Sequence, residues 1–265
     1  MEMERHDSIQ YVVACMATHA YLAKKIVKGQ HRLDDYFSLS YHKKQSLKTF
    51  FKEHGDRFLA TAMLMEDKRW CDLIDVIRYT AMIIHQNDLK KYWLRYLHQF
   101  QLRSVIPGTS LKESILFLTF LLSLPEVVGI KRAVIEYELY KNKALDFDFK
   151  EEDNRVDWVD VKKNSLIMHI NPSLIMKKFD FCISKIIKNI PLYQSVQSDL
   201  LQVSGTEIIV FYKVMQSNIA KVITIQNTLH DILLDISERG FSDKDDISKR
   251  GLMNMLFRKN LIYTP

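Results

Sequence analysis

The side chains best suited to metal or nucleophilic chemistry are nine histidines and three cysteines, and their spacing keeps them apart. His6, His19, His31, His42, His54, His85, His98, His169 and His230 form no HxH or HxxxH pair and no His-Cys cluster, so a local metal site has no support. Cys15, Cys71 and Cys182 are odd in number, distant from one another and outside any CxxC pair, which fits a reduced compartment rather than a disulfide framework. A glycine-rich phosphate loop and a GxSxG elbow are both missing. The expectation is a chain that is not an enzyme alone and carries no catalytic residue, metal or cofactor.

What the chain does offer is backbone chemistry. Between Asn164 and Gln226 a short apolar strand, Ser165 to Ile170, meets an Asn-Pro stop, since proline cannot donate to a ladder. Two β-rich runs follow, Glu207–Met215 and Ile219–Gln226, and Gln216-Ser217-Asn218 reads as their loop, with Asn218 best able to adopt a left-handed conformation. Alternation puts Ile208, Val210, Tyr212 and Val214 on one face and Glu207, Ile209, Phe211 and Lys213 on the other. A strand apolar on both faces is central, which makes Ser165–Ile170 and Ile219–Ile225 the expected edges. An open edge can accept an extended peptide as a further strand. The candidate peptide-binding residues are Ile219, Lys221, Val222, Ile223, Thr224 and Ile225 on one edge and Leu166, Met168 and Ile170 on the other. Lys221 and Lys213 are candidate partners for peptide carboxylates, although lysine on an edge also serves to block unwanted pairing.

Helices must carry this sheet. Apolar positions at three-to-four spacing predict one helix from Asp7 to Val27, ended by Gly29. A second begins after Ser40, turns Leu47, Phe50 and Phe51 inward, and is broken or redirected at His54-Gly55-Asp56. Further helices are expected near Arg57–Met65, Trp70–Ile84 and Asp88–Phe100. Ser110 and Glu113 have capping-box spacing before a largely apolar helix, and Pro125 should open the next, which carries Val128, Ala133, Ile135 and Leu139. Phe179–Ile190 and Tyr193–Val203 read as short helices, Asn227–Ser237 and Asp245–Phe257 as closing ones. The acidic stretch Asp146–Lys163 lacks periodicity and reads as a linker, with Phe147, Phe149 and Trp158 as anchors. The expected fold is α+β: a mainly helical domain over 1–145, a linker over 146–163, and a small antiparallel sheet of about three strands with flanking helices over 164–265.

Composition narrows the partners. A net charge of +6 and a pI near 9.0 favour an acidic partner, and the excess cations gather early, at Lys24, Lys25, Lys28, Arg32, Lys43, Lys44, Lys48 and Lys52. Spread over helical faces, they read first as solvated surface. The order strand, helix, helix, hairpin is also that of a winged helix, but the helix that would read bases, Tyr193–Val203, has no lysine or arginine and includes Asp199. Nucleic acid is therefore not expected. The opening MEMERHDS has no apolar signal core and the run Ile115–Leu124 is too short to span a bilayer, so a cytoplasmic protein without a membrane partner is expected.

Several segments carry a family resemblance. The helical span from Asp72 includes an apolar-Glu-aromatic step at Ile135-Glu136-Tyr137. SLIMHINPSLIMKKFDFCISKII then gives a strand, an Asn-Pro-Ser-Leu step and an aromatic-aspartate helix, and EIIVFYKVMQSNIAKVITIQNTLHDILLDI gives a hairpin and a helix. From about Asp72 to Ile236 this resembles DUF2063-type proteins of the MbnC and HvfC kind. The resemblance implies a non-catalytic subunit that forms a heterodimer with a DUF692, MbnB-like iron enzyme and binds the leader of a ribosomal precursor peptide. In such systems, of the methanobactin copper-chelator type, the partner holds the iron and converts cysteines to oxazolone and thioamide groups. The alternative is a winged-helix-like regulatory or protein-interaction module with no modified peptide.

Overall fold

The computed structural model describes residues 8–99, 109–149, 167–190, 204–214, 217–239, 241–242 and 250–263. The protein is α+β, with helices dominating the N-terminal part and, among the described residues, antiparallel strands confined to the C-terminal part. Its contacts divide it into two units, Met1–Arg78 with Asn87–Glu113, and Tyr79–Gln86 with Ser114–Pro265, whereas the sequence suggested a partition at the linker 146–163.

In the first unit the expected helix over 7–27 is two helices, α1 (Ile9–Ala17) and α2 (Ala20–Val27). The apolar spacing runs through the junction without interruption; polar contacts decide the break. The Thr18 hydroxyl donates to the Cys15 carbonyl (3.0 Å) and His19 Nδ1 lies 2.9 Å from that same oxygen. Two groups freed by the break are satisfied from α3 (Tyr41–Val76): Glu66 accepts the Ala20 N–H at 3.1 Å and Arg69 donates to the Thr18 carbonyl at 2.7 Å. Gly29, at φ +71°, ends α2 with the 6→1 and 5→2 bonds of a Schellman cap, Gln30 N–H to Lys25 carbonyl and Gly29 N–H to Ile26 carbonyl.

Helix α3 does not break at His54-Gly55-Asp56. It runs for 36 residues, about 54 Å at the usual rise. Gly55 is a packing residue here: a Cβ at that position would lie 2.8 Å from Val27 Cγ1, so its absence lets α2 and α3 touch. Leu47 and Phe51 are buried as expected, while Phe50 is exposed. The core holds Val12, Met16, Ala23, Leu47, Phe51 and Phe58. Helix α5 (Gln86–Gln99) adds Trp93, 5.7 Å from Trp70 and stacked 5.4 Å from Tyr96.

The second unit includes most of α4 (Arg78–Ile83) and α6 (Ser110–Leu122) and all of α7 (Gly129–Leu145). Thr109, not Ser110, caps α6, accepting the Lys112 N–H at 3.2 Å. Pro125 lies in a turn, and α7 starts four residues later with Val128 exposed at its N-cap and Ala133, Ile135 and Leu139 buried. Two three-stranded antiparallel sheets follow. One has β1 (Ile167–Ile170) between β5 (Phe241–Ser242) and β6 (Ile262–Tyr263); the other has the order β2 (Ile175–Phe181), β3 (Ser204–Lys213), β4 (Ala220–Ile225). Strand β2 occupies residues expected to open a helix, and the helix that follows, α8 (Ile183–Lys188), is shorter than predicted. Helices α9 (Asn227–Arg239) and α10 (Arg250–Arg258) close the chain, while Tyr193–Val203 and Trp158 lie outside the described residues.

The hairpin faces are as alternation assigned them. Ile208, Val210 and Tyr212 join Leu233 and Ile236 of α9 and Leu256 of α10 in one core. On the opposite face Phe211 meets Tyr137 edge-on at 5.2 Å and Tyr140 at 6.1 Å, both on α7. Strand β3 is thus central and buried on both sides. Asn218 is not left-handed; among the described residues Asn260, at φ 60°, is the non-glycine residue that is.

Candidate functional site

Among the described residues β4 hydrogen-bonds to β3 alone, in the register Ile208↔Ile225, Val210↔Ile223 and Tyr212↔Lys221. Its outer edge is therefore an edge of the sheet. Ile223 and Ile225 join the α9 and α10 core, Val222 lies opposite Phe211 on the α7 side and is half-buried, and Lys221 and Thr224 are exposed. Thr224 donates to Glu207 Oε1 at 2.9 Å, and the other Glu207 oxygen accepts the Ser184 N–H at 2.8 Å, so one carboxylate ties β4 to the start of α8. Ile219, just before the strand, is 61% exposed.

The other edge of this sheet is β2, which is less suited to accept a strand. Its register shifts between Phe179 and Phe181, an irregularity that disrupts pairing. Lys177 is held by Glu136 at 3.1 Å, beside Tyr140 of α7. Lys178 and Asp180 are exposed charges on the same short strand.

The second expected edge is not one. Ile167–Ile170 is the middle strand of its own sheet, with Met168 opposite Phe241 and Ile170 opposite Ile262; Leu166 lies outside the described residues. Its partners are two residues long and carry no strand pattern that sequence could register. Lys213 sits on central β3, where its ammonium donates to the Phe147 carbonyl at 2.8 Å and lies 5.9 Å from the Phe149 ring. In that contact Phe149 offers its ring and Phe147 its backbone carbonyl.

Asn171, expected with Pro172 to stop the strand, is also a hub. Buried at 1% exposure, it donates through Nδ2 to the carbonyls of Lys213 (3.0 Å) and Asn260 (2.8 Å), and its Oδ1 accepts the Ser173 N–H and hydroxyl. Ser173 Oγ accepts the Lys213 N–H at 2.9 Å. The turn after β1, the end of β3 and the start of β6 are joined there. The one available signal was an asparagine flanked by apolar strands on both sides.

Two further clusters of polar groups, one in each unit, bear on charge. In the first unit Arg69 makes a two-pronged pair with Glu113, its Nε 2.6 Å from Oε2, and lies over Trp93 at 5.3 Å. Burial, and then the Arg69 charge, pushes His19 down to about 4, and burial raises Glu66. In the second unit Glu138, 1% exposed, accepts the N–H groups of Tyr79 (3.0 Å) and Thr80 (2.8 Å) at the start of α4; burial pushes it up to about 6. These groups are committed to helix breaks and starts. Among the described residues no three His, Cys, Asp or Glu side chains converge as metal ligands, and no helix is long and apolar enough to cross a membrane.

No family model matches the chain, and no curated protein matches it. The resemblance to DUF2063-type proteins rests on the segments quoted above.

Proposed function

We propose that this protein is a non-catalytic recognition subunit that takes an extended peptide as an added strand along Ile219–Ile225. The observation that carries the reading is the outer edge of β4: paired on one side only among the described residues, flanked by exposed Ile219 and half-buried Val222 and Ile223, and set on a central strand buried on both faces. Backbone pairing would supply affinity that depends little on sequence, and alternate side chains would set register. The resemblance supports the narrower form. In it the peptide is the leader of a ribosomal precursor, the partner in a cytoplasmic heterodimer is a DUF692-type iron enzyme, and iron stays in that partner. Lys221 is then the cation placed to meet an acidic leader residue.

Successive residues of a strand point their N–H groups to opposite sides, so proline at Val222 and at Ile223 removes one donor to β3 and one donor from the outer edge. Of the two variants, the one that retains native circular dichroism should lose binding of a labelled leader peptide in fluorescence anisotropy. Unchanged leader binding in that variant refutes β4 as the docking strand. Coexpression with a candidate DUF692 enzyme and its precursor tests the narrower form, since the mass change of the precursor should disappear when this subunit is omitted.

A further inference from the structure

The cations that the sequence scatters over the first helices are partly gathered by the fold. Arg32, Lys44, Lys48 and Lys52 line one cavity of about 710 Å³. Buried Ile26, Leu33 and Phe51 form its apolar floor beside Val27, and Gly29, His31 and Asp34 complete the lining. The Schellman turn at Gly29 makes this possible, because it reverses the chain after α2 and sets residues 31–34 against α3. On α3 the lysines recur every four residues and so share one stripe.

Helix stability does not ask for that stripe, since like charges at this spacing weaken a helix. Asp34 pairs with Lys44. Arg32, Lys48 and Lys52 have no side-chain counter-ion among the described residues, and Lys48 and Lys52 are exposed at the cavity wall. Cations gathered in a concavity over a low-dielectric floor focus the potential felt by an anion. The volume falls in the range of small-molecule sites, which join an apolar lining to a few placed polar groups. An arginine fork and two exposed ammonium groups suit phosphoryl oxygens, which offer several acceptors and more than one charge.

We infer that this cavity binds a small organic phosphate, with its phosphoryl groups on Arg32, Lys48 and Lys52 and its body on the Ile26, Leu33 and Phe51 floor. The site belongs to the first unit and does not depend on the strand-edge reading. Titration calorimetry of the full chain with ADP, inorganic pyrophosphate and adenosine tests it. ADP should bind most tightly, pyrophosphate more weakly for want of the floor, and adenosine weakest. Arg32→Ala and the double variant Lys48→Ala/Lys52→Ala should each lower ADP affinity by about tenfold or more, the effect of losing a charge-assisted hydrogen bond, with the unfolding transition unchanged. Lys24→Ala, which removes a cation outside the cavity, should leave ADP binding intact. The inference is overturned if ADP gives no saturable heat, or if the Lys48→Ala/Lys52→Ala variant binds it like the parent. It is also overturned if a glutamate-rich peptide or a single-stranded oligonucleotide binds more tightly than ADP and is lost in the same variants.

Discussion

Removing Arg69 should cost far more than a surface charge, and removing its partner as well should restore most of the loss. Arg69 holds Glu113 through two oxygens, donates to the Thr18 carbonyl where α1 ends, and covers Trp93. The Glu113 side chain is only 4% exposed, so Arg69→Met would strand a carboxylate that water cannot reach. Breaking a buried pair from one side costs about 3–5 kcal/mol, mostly the uncompensated charge. Glu113→Leu should cost somewhat less, about 2–4 kcal/mol, because Arg69 keeps the Thr18 carbonyl and the Trp93 ring. The double variant Arg69→Met/Glu113→Leu buries no charge and loses chiefly the Thr18 bond, about 1–2 kcal/mol. Urea denaturation followed by tryptophan fluorescence suits the question, as Trp70 and Trp93 stand in this core. Single variants each within about 1 kcal/mol of the parent, or a double variant that equals their sum, would refute the reasoning.

His19 and Glu138 should answer pH in opposite directions. His19 titrates near 4 when folded against 6.5 when free, so its share of stability is complete above 6.5 and is lost as pH falls toward 4, about 3 kcal/mol in all. His19→Gln should flatten that part of the acid limb, measured by Trp fluorescence between pH 4 and 7. Glu138 titrates near 6 when folded against 4.5 when free, so its share is complete below 4.5 and about 2 kcal/mol is lost as pH rises through 6. Glu138→Gln should remove that loss, seen as slower amide exchange at Tyr79 and Thr80 relative to the parent at pH 7 than at pH 4.5. Gly55→Ala should destabilise by about 1–2 kcal/mol, because overpacking against Val27 exceeds the gain in helix propensity. In thermal denaturation most of that extra cost should vanish on the background of Val27→Ala.

What could be read from the sequence was local pattern, and what could not was the partner that settles a pattern. The Glu207–Met215 alternation predicted both faces of β3 because a two-sided strand writes its burial directly into its side chains. Gly55 shows the limit: a glycine between His54 and Asp56 looks like a breaker, and only Val27, 28 residues earlier, makes it a contact. At Thr18 and His19 the reverse holds, for the apolar spacing continues while Glu66 and Arg69 fix the break from another helix. Ile175–Phe181 was hidden because Phe179 stands at helical spacing from Ile183 and Ile186, although its own burial follows the strand. Of the candidate site, Ile219–Ile225 was legible as an edge since β3 had to be central; Ile167–Ile170 was not, because its partners are two residues each.

The unequal edges of the main sheet bear on how selective any strand capture could be. A protein with two open, flat edges would pair with itself, so at least one must be blunted. Here β2 carries the blunting features: a register shift, Lys177 spent on Glu136, and exposed charges at Lys178 and Asp180. Strand β4 has one exposed lysine and a regular register along its whole length. Its position is also fixed, because Asn171 and Ser173 clamp both the N–H and the carbonyl of Lys213, the residue opposite Ala220 where β4 begins. An added strand would thus meet a preformed edge rather than order one on arrival, which reduces the entropic cost of binding. Under the proposed function, loosening that clamp by Asn171→Ala should weaken leader binding chiefly through a faster dissociation rate, without altering any residue of β4.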